Sequence, residues 1–179
     1  MENQISLHPF DQLLEIDSRS RFRSTTETEC PAALRGRLAL RLGAWNLMFA
    51  LEEVAEIIPL PRITRVPGVK AWLLGMANLR GVVISVVDLR EFLTGKPTML
   101  GPNSRVVVVR SGEWHYGLLV DEIIGMRQFG QEDKLPALDM IDAGLRPYLT
   151  EAFQGENKKW LAFSASRLLN DARFLGAAH

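Results

Sequence analysis

The segment Leu74–Leu93, LGMANLRGVVISVVDLREFL, limits the fold more than any other stretch of the chain. Within it, Val82-Val83-Ile84-Ser85-Val86-Val87 is almost entirely β-branched and carries no charge. Such a run suits a buried, pleated surface and disfavours a helix, where branched side chains lose rotamer freedom. Asn78 and Gly81 read as turn formers ahead of it, with Gly81 supplying backbone freedom. Asp88 ends the run and stands where a helix N-cap would, before Leu89-Arg90-Glu91-Phe92-Leu93. The segment therefore predicts strand, tight turn, strand and short helix.

A second hairpin opens the body of the chain. Arg37-Leu38-Ala39-Leu40-Arg41-Leu42 alternates with its leucines on one face, Gly43-Ala44 turns, and Leu47, Phe49 and Leu51 alternate again. The pattern then recurs. Aligning Trp45 with Trp114 sets Arg41 on Arg110, Gly43 on Gly112, Phe49 on Leu118, Glu53 on Glu122 and Val54 on Ile123. Each copy is followed by a further hairpin and a short helix. In the first this is Leu74–Leu93. In the second it is Tyr148–Leu169, with a turn at Gln154-Gly155-Glu156-Asn157 and a returning strand Trp160-Leu161-Ala162-Phe163. The order predicts two related β units packed together. Short strands between Gly, Pro and Asn turns point to small barrels rather than a parallel α/β sheet, and such barrels are small enough to need a shared core.

The first 35 residues differ. Leu7, Phe10, Leu13, Leu14 and Ile16 fall at helical spacing, which predicts a short amphipathic helix within Leu7–Arg23, either packed on the body or docking a partner. A polar linker follows to Arg35. The domain division is 1–35 for this extension and 36–179 for the body.

Composition removes several functions. Lys and Arg total 21 and Asp and Glu total 21, so the net charge is zero and no basic excess marks a nucleic-acid binder. The basic clusters Arg19-Ser20-Arg21-Phe22-Arg23 and Arg35-Gly36-Arg37 read as solvated surface. The one cysteine, Cys30, permits no internal disulfide and lies beside Pro31 with no histidine near it in the chain. His8, His115 and His179 are too scattered for a metal site or triad, and no Gly-rich phosphate loop occurs. We expect no enzyme activity, no metal and no cofactor. The start lacks a signal-peptide pattern, and no apolar run reaches the roughly 20 residues that span a bilayer, so a cytoplasmic protein without membrane insertion is expected.

The body resembles the CheW family, the adaptors that couple chemoreceptors to a histidine kinase in bacteria. The resemblance runs from about Gly36 to Leu169. It is clearest at Ile63-Thr64-Arg65-Val66-Pro67-Gly68, Trp72, Gly75, Asn78-Leu79-Arg80-Gly81 and Val87-Asp88-Leu89-Arg90, and weaker at Glu53-Val54-Ala55-Glu56-Ile57 and Val120-Asp121-Glu122-Ile123. The start, Pro9-Phe10-Asp11-Gln12-Leu13-Leu14-Glu15-Ile16-Asp17, and Tyr148 after Leu145-Arg146-Pro147 resemble the PilI-type branch, which serves the chemosensory system of type IV pili and twitching motility. The linker has no counterpart in minimal members. The chain has neither the receiver domain of a CheV-type adaptor nor a kinase ATP site.

The resemblance implies two five-stranded, SH3-like barrels side by side and a scaffold function without chemistry. It implies two partners, the regulatory domain of a CheA-type kinase and the cytoplasmic tip of a methyl-accepting receptor, held together in arrays. The receptor would bind in a groove between the barrels. Arg80 and Glu56 match a family ion pair near that surface, with Val69, Leu79 and Val82 as apolar contacts around it. Trp72 is either a packing anchor or a contact residue, and Asp88 a cap. The kinase face is placed by analogy on edge strands near Leu40, Phe49 and Ile57. The competing expectation is a generic small-barrel module that binds peptide or nucleic acid.

Overall fold

The structure, a computed structural model, describes residues 36–136 and 141–177. The expected N-terminal helix and linker, Cys30, His8 and His179 lie outside the described residues. Ten strands run through the described part: β1 (Arg37–Leu42), β2 (Trp45–Ala50), β3 (Val54–Pro59), β4 (Leu73–Leu79), β5 (Val82–Asp88), β6 (Arg105–Ser111), β7 (Trp114–Val120), β8 (Glu122–Arg127), β9 (Leu149–Gly155) and β10 (Lys158–Phe163). Short helices α1 (Leu89–Thr94), α2 (Ala165–Leu169) and α3 (Ala172–Leu175) follow β5 and β10.

The strands form two five-stranded sheets, ordered β8-β1-β2-β10-β9 and β3-β6-β7-β5-β4. The two orders are the same pattern. In each, a hairpin from one sequence copy is completed by the last three strands of the other copy. β1 pairs with β8, and β3 pairs with β6. The two sequence copies are therefore interleaved rather than folded into one sheet each.

Side-chain alternation explains why one chain needs two kinds of core. On β6, Val107 and Val109 face a large core shared by both sheets, while Val106 and Val108 face a small core belonging to the second sheet. On β2, Leu47 and Phe49 enter the shared core and Met48 the small core of the first sheet. A strand buried on both faces reads as a continuous apolar run, as the valines of β6 do and as Ile84, Val86 and Val87 do in the second part of β5. The leucine face of β1 likewise lies in the shared core, with Leu38, Leu40 and Leu42 buried.

This placement corrects part of the expected kinase face. Leu40 and Phe49 lie on β1 and β2, interior strands of the first sheet, and are fully buried, so neither offers a contact surface. Ile57 lies on β3, at an edge of the other sheet, and is exposed.

Asp88 does cap α1. Its Oδ1 accepts from the Glu91 N–H at 3.0 Å, as the sequence predicts, and its carboxylate also accepts from the Thr98 N–H and hydroxyl, each at 2.8 Å. Among the described residues, no helix is long and apolar enough to cross a membrane.

Candidate partner-binding site

The β4–β5 hairpin closes with the two-residue turn Arg80-Gly81, where φ is 51° and 88°. Two positive φ values give the mirror-image turn whose twist matches the flanking strands. Asn78 holds it, its Oδ1 accepting from the Gly81 N–H at 2.8 Å. Arg80 thus stands on a rigid tip and donates to Glu56 Oε1 on β3 at 2.5 Å. The Arg80 side chain is 78% exposed and that of Glu56 30%, so the pair sits at the surface rather than inside the sheet.

Beneath it opens a groove of about 270 Å³. It is lined by Ala55 and Glu56 of β3, Leu79 of β4, Val82 and Ile84 of β5, Val108 and Arg110 of β6 and His115 of β7. Every lining residue belongs to the second sheet or its turns, so this groove is a different place from the one between the barrels that the family resemblance implies. Val82, 45% exposed, adds apolar surface at its rim. Arg110 and His115 face each other across the β6–β7 ladder, and His115 Nδ1 is buried with no hydrogen-bond partner among the described residues. Neither residue was singled out from the sequence for this site. The signal available was their position flanking the Gly112 turn, one residue from Trp114 in the case of His115.

The structure therefore brings Glu56, Arg80, Leu79 and Val82 together and places two other expected contacts elsewhere. Val69 lines a different depression, beside Arg65 and Glu91. Trp72 packs edge-on against Phe92 at 5.1 Å and stacks on Phe174 at 5.6 Å, and its carbonyl accepts the Asp88 N–H. These are the contacts of a packing anchor.

Gly75 explains how the preceding motif is held. Thr64 and Met76 exchange two backbone hydrogen bonds of 2.8 and 2.9 Å, and a Cβ on Gly75, at φ 141°, would lie 2.2 Å from the Thr64 carbonyl oxygen. Only glycine permits that approach.

A second surface lies on the outer face of β8. Ile124 and Met126 project from that edge strand and are exposed, as is Leu51 after β2. Met126 and Leu51 converge on Gly36, whose Cβ position is 2.9 Å from Met126 Cε and 3.9 Å from Leu51 Cδ1. Among the described residues, no group of three or more His, Cys, Asp or Glu could hold a metal ion.

Comparison with known proteins agrees with this architecture. Residues 37–173 match the family model of the CheW-like domain. Protein PilI of Pseudomonas aeruginosa is 34% identical over 173 residues, 95% of this chain and 96% of that protein. Protein FrzA of Myxococcus xanthus is 30% identical over 134 residues, covering 74% of this chain and 84% of that one. The crystal structure of the scaffolding protein TtCheW from Thermoanaerobacter tengcongensis superposes with a TM-score of 0.63 over 73% of this chain and 88% of its own, at 20% identity, and so shares the fold. With the interleaved sheets and the family model agreeing over residues 37–173, this chain belongs to the CheW-like family.

Proposed function

We propose that this chain is a non-catalytic adaptor joining a methyl-accepting receptor to a CheA-type kinase in a chemosensory system of the type IV pilus kind. The observation that carries the reading is the Arg80–Glu56 tip over an open groove with an apolar floor and rim. A cation on a rigid turn beside apolar surface is the composition found at the centre of protein interfaces. The groove suits a helical receptor tip, because a helix can lay an apolar stripe along it while its charged flank meets Arg80. The kinase contact belongs on the exposed apolar residues Ile124 and Met126 of the edge strand β8 and Leu51, which meets Met126 beside Gly36. The pilus assignment rests on similarity to protein PilI across 95% of the chain.

The test is a three-component reconstitution of full-length protein, kinase and receptor cytoplasmic fragment, followed by co-sedimentation and kinase autophosphorylation. Arg80→Glu should weaken receptor capture about tenfold or more and leave kinase capture intact. Met126→Glu should do the reverse. If both variants lose the same partner, the assignment of two separate faces is wrong. A folded sample that binds neither partner returns the chain to a generic small-barrel module.

A further inference from the structure

Trp45 opens β2 just after the Gly43-Ala44 turn, half-buried, its indole resting on the shared core. Two depressions meet at it, sharing Ala44, Trp45 and Asp142. One, of about 530 Å³, extends toward α1 and carries Arg90 and Lys96 on its wall. The other, of about 260 Å³, extends toward β10 and carries Lys158 and Lys159. Arg90 lies against the turn itself, since a Cβ on Gly43 would sit 3.4 Å from its Nε.

The charges of this trough are unbalanced. Among the described residues, none of these four side chains forms an ion pair or donates a hydrogen bond. Among the described residues, two carboxylates border the trough, fewer than its four cations, and each accepts one backbone N–H: Asp142 from Gly144 at 2.9 Å and Asp121 from Gly43 at 2.5 Å. Several cations elsewhere in the body do find partners, Arg37 and Lys134 on Glu151, Arg41 on Glu122 and Arg127 on Glu156, while Arg62, Arg65 and Arg110, which line neither depression, have none among the described residues. Nor does the cluster come with the repeat. At the matching places around Trp114, the second copy has Ser166 for Arg90 and Ala172 for Lys96, and the first has Val82 and Val83 for Lys158 and Lys159. In a chain of zero net charge, this is a local positive field built around one sheltered indole.

We infer that the trough around Trp45 docks an acidic protein segment that also carries aliphatic or aromatic side chains. Carboxylates would meet Arg90 and Lys96 on one wall and Lys158 and Lys159 on the other. An apolar side chain would lie on Trp45, beside Ile141 and Leu161. This surface is separate from the Arg80 groove and from the β8 edge, and the inference stands without either assignment.

The test uses the full chain and a fluorescein-labelled peptide of glutamates interspersed with leucines, with anisotropy as the readout and the Trp45 indole N–H signal as the locator. Binding should weaken about tenfold or more in Arg90→Glu/Lys96→Glu and in Lys158→Glu/Lys159→Glu, and fade as salt rises. Arg62→Glu/Arg65→Glu makes the same change in net charge at exposed residues that line neither depression, and should bind like the unmodified protein. Circular dichroism confirms folding of each variant. Absence of binding, or equal loss in the Arg62/Arg65 variant, overturns the inference. An oligothymidylate that binds the trough as tightly as the peptide overturns it too, and reassigns the site to phosphate polymers.

Discussion

At the end of the first sheet, Glu156 in the β9–β10 turn meets Arg127 on β8 at 3.0 Å; at the end of the second, Arg80 in the β4–β5 turn meets Glu56 on β3. The turn positions correspond, the strand partners do not, since Gly125 stands where the second sheet has Glu56 and Arg127 lies two residues further along β8, and the polarity is reversed. What lies beneath differs more. In the first sheet Arg127 sits over the Trp160 ring at 5.4 Å, and Phe129 packs against Phe153 and Trp160 at 5.3 and 5.9 Å, so that end is filled. The third residue of β10 is Trp160, whereas the third residue of β5 is Ile84, and beside Ile84 the groove remains open. The same strand order thus yields a sealed end and an accessible one, and side-chain volume decides which. A repeat supplies two equal frames; large aromatics close one and leave the other open.

The largest expected effect breaks the sealed end. Trp160 is 2% exposed, and its Nε1 donates to the Gly155 carbonyl at 3.2 Å. Trp160→Ala should cost about 3–5 kcal/mol in urea denaturation. A loss below about 1 kcal/mol, the value expected of a surface site, would show that the filling explanation is wrong.

Next come the two helix caps, which occupy matching places. Asp88 is buried and accepts three hydrogen bonds, so Asp88→Ala strands the Thr98 groups and should cost about 2–3 kcal/mol. The Ser164 hydroxyl accepts one backbone group, the Arg167 N–H at 3.3 Å, and donates to Glu53 at 3.2 Å, and Glu53 itself also takes the Ala165 and Ser166 N–H groups at the start of α2. Ser164→Ala should cost about 1 kcal/mol. Thermal or urea unfolding ranks them, and the reverse order would contradict the structure.

Trp72 and Tyr148 also correspond, since the carbonyl of each accepts at 2.8 Å from the cap residue, Asp88 or Ser164. Only Tyr148 adds a polar handle. Its hydroxyl donates to Asp171 at 2.6 Å and accepts from Arg173 at 2.7 Å. Burial, and then the Asp171 acceptor, push the phenol up to about 12, while the Tyr148 and Arg173 hydrogen bonds hold Asp171 down to about 2. The phenol's folded value is raised, so its contribution is complete below pH 10 and lost as pH rises toward 12. The folded value of Asp171 is lowered, so its contribution is present above pH 3.8 and lost as pH falls through 2. Tyr148→Phe should cost about 1 kcal/mol near neutrality and flatten the alkaline limb of a stability–pH curve. An unchanged alkaline limb would assign that loss to other groups.

The smallest stability effect belongs to the exposed pair. Arg80→Glu should cost less than about 1 kcal/mol, and the exchange Glu56→Arg/Arg80→Glu should return stability to within about 0.5 kcal/mol of the parent. The exchanged protein carries the polarity of the sealed end at the open one. Receptor-fragment binding should stay lost in it; recovery would mean the pair acts only as a brace.

Much of this molecule is legible in its residues. The β-branched run, the Asn78–Gly81 turn, the Asp88 cap and the leucine face of β1 are local, and each follows from sterics or hydrogen bonding within a few positions. The correspondence of Trp45 with Trp114 marks the repeat. Family analogy alone places Leu40 and Phe49 at the surface, and pairing decides otherwise: β1 and β2 are interior strands whose leucine and phenylalanine face meets the second sheet. Leu79, Arg80 and Val82 come together because they flank one turn; Glu56 joins them, and Val69 and Trp72 do not, through pairings between distant strands.

The sequence by itself determined the strands, turns, caps and twofold pattern, because those depend on side-chain branching, backbone freedom and period. Tertiary structure alone decided that the copies exchange strands, that one end is sealed by Trp160 and Phe129 while the other stays open, and that Arg90, Lys96, Lys158 and Lys159 gather around Trp45. Those outcomes depend on which faces meet and how much volume they enclose, and no local rule carries that information.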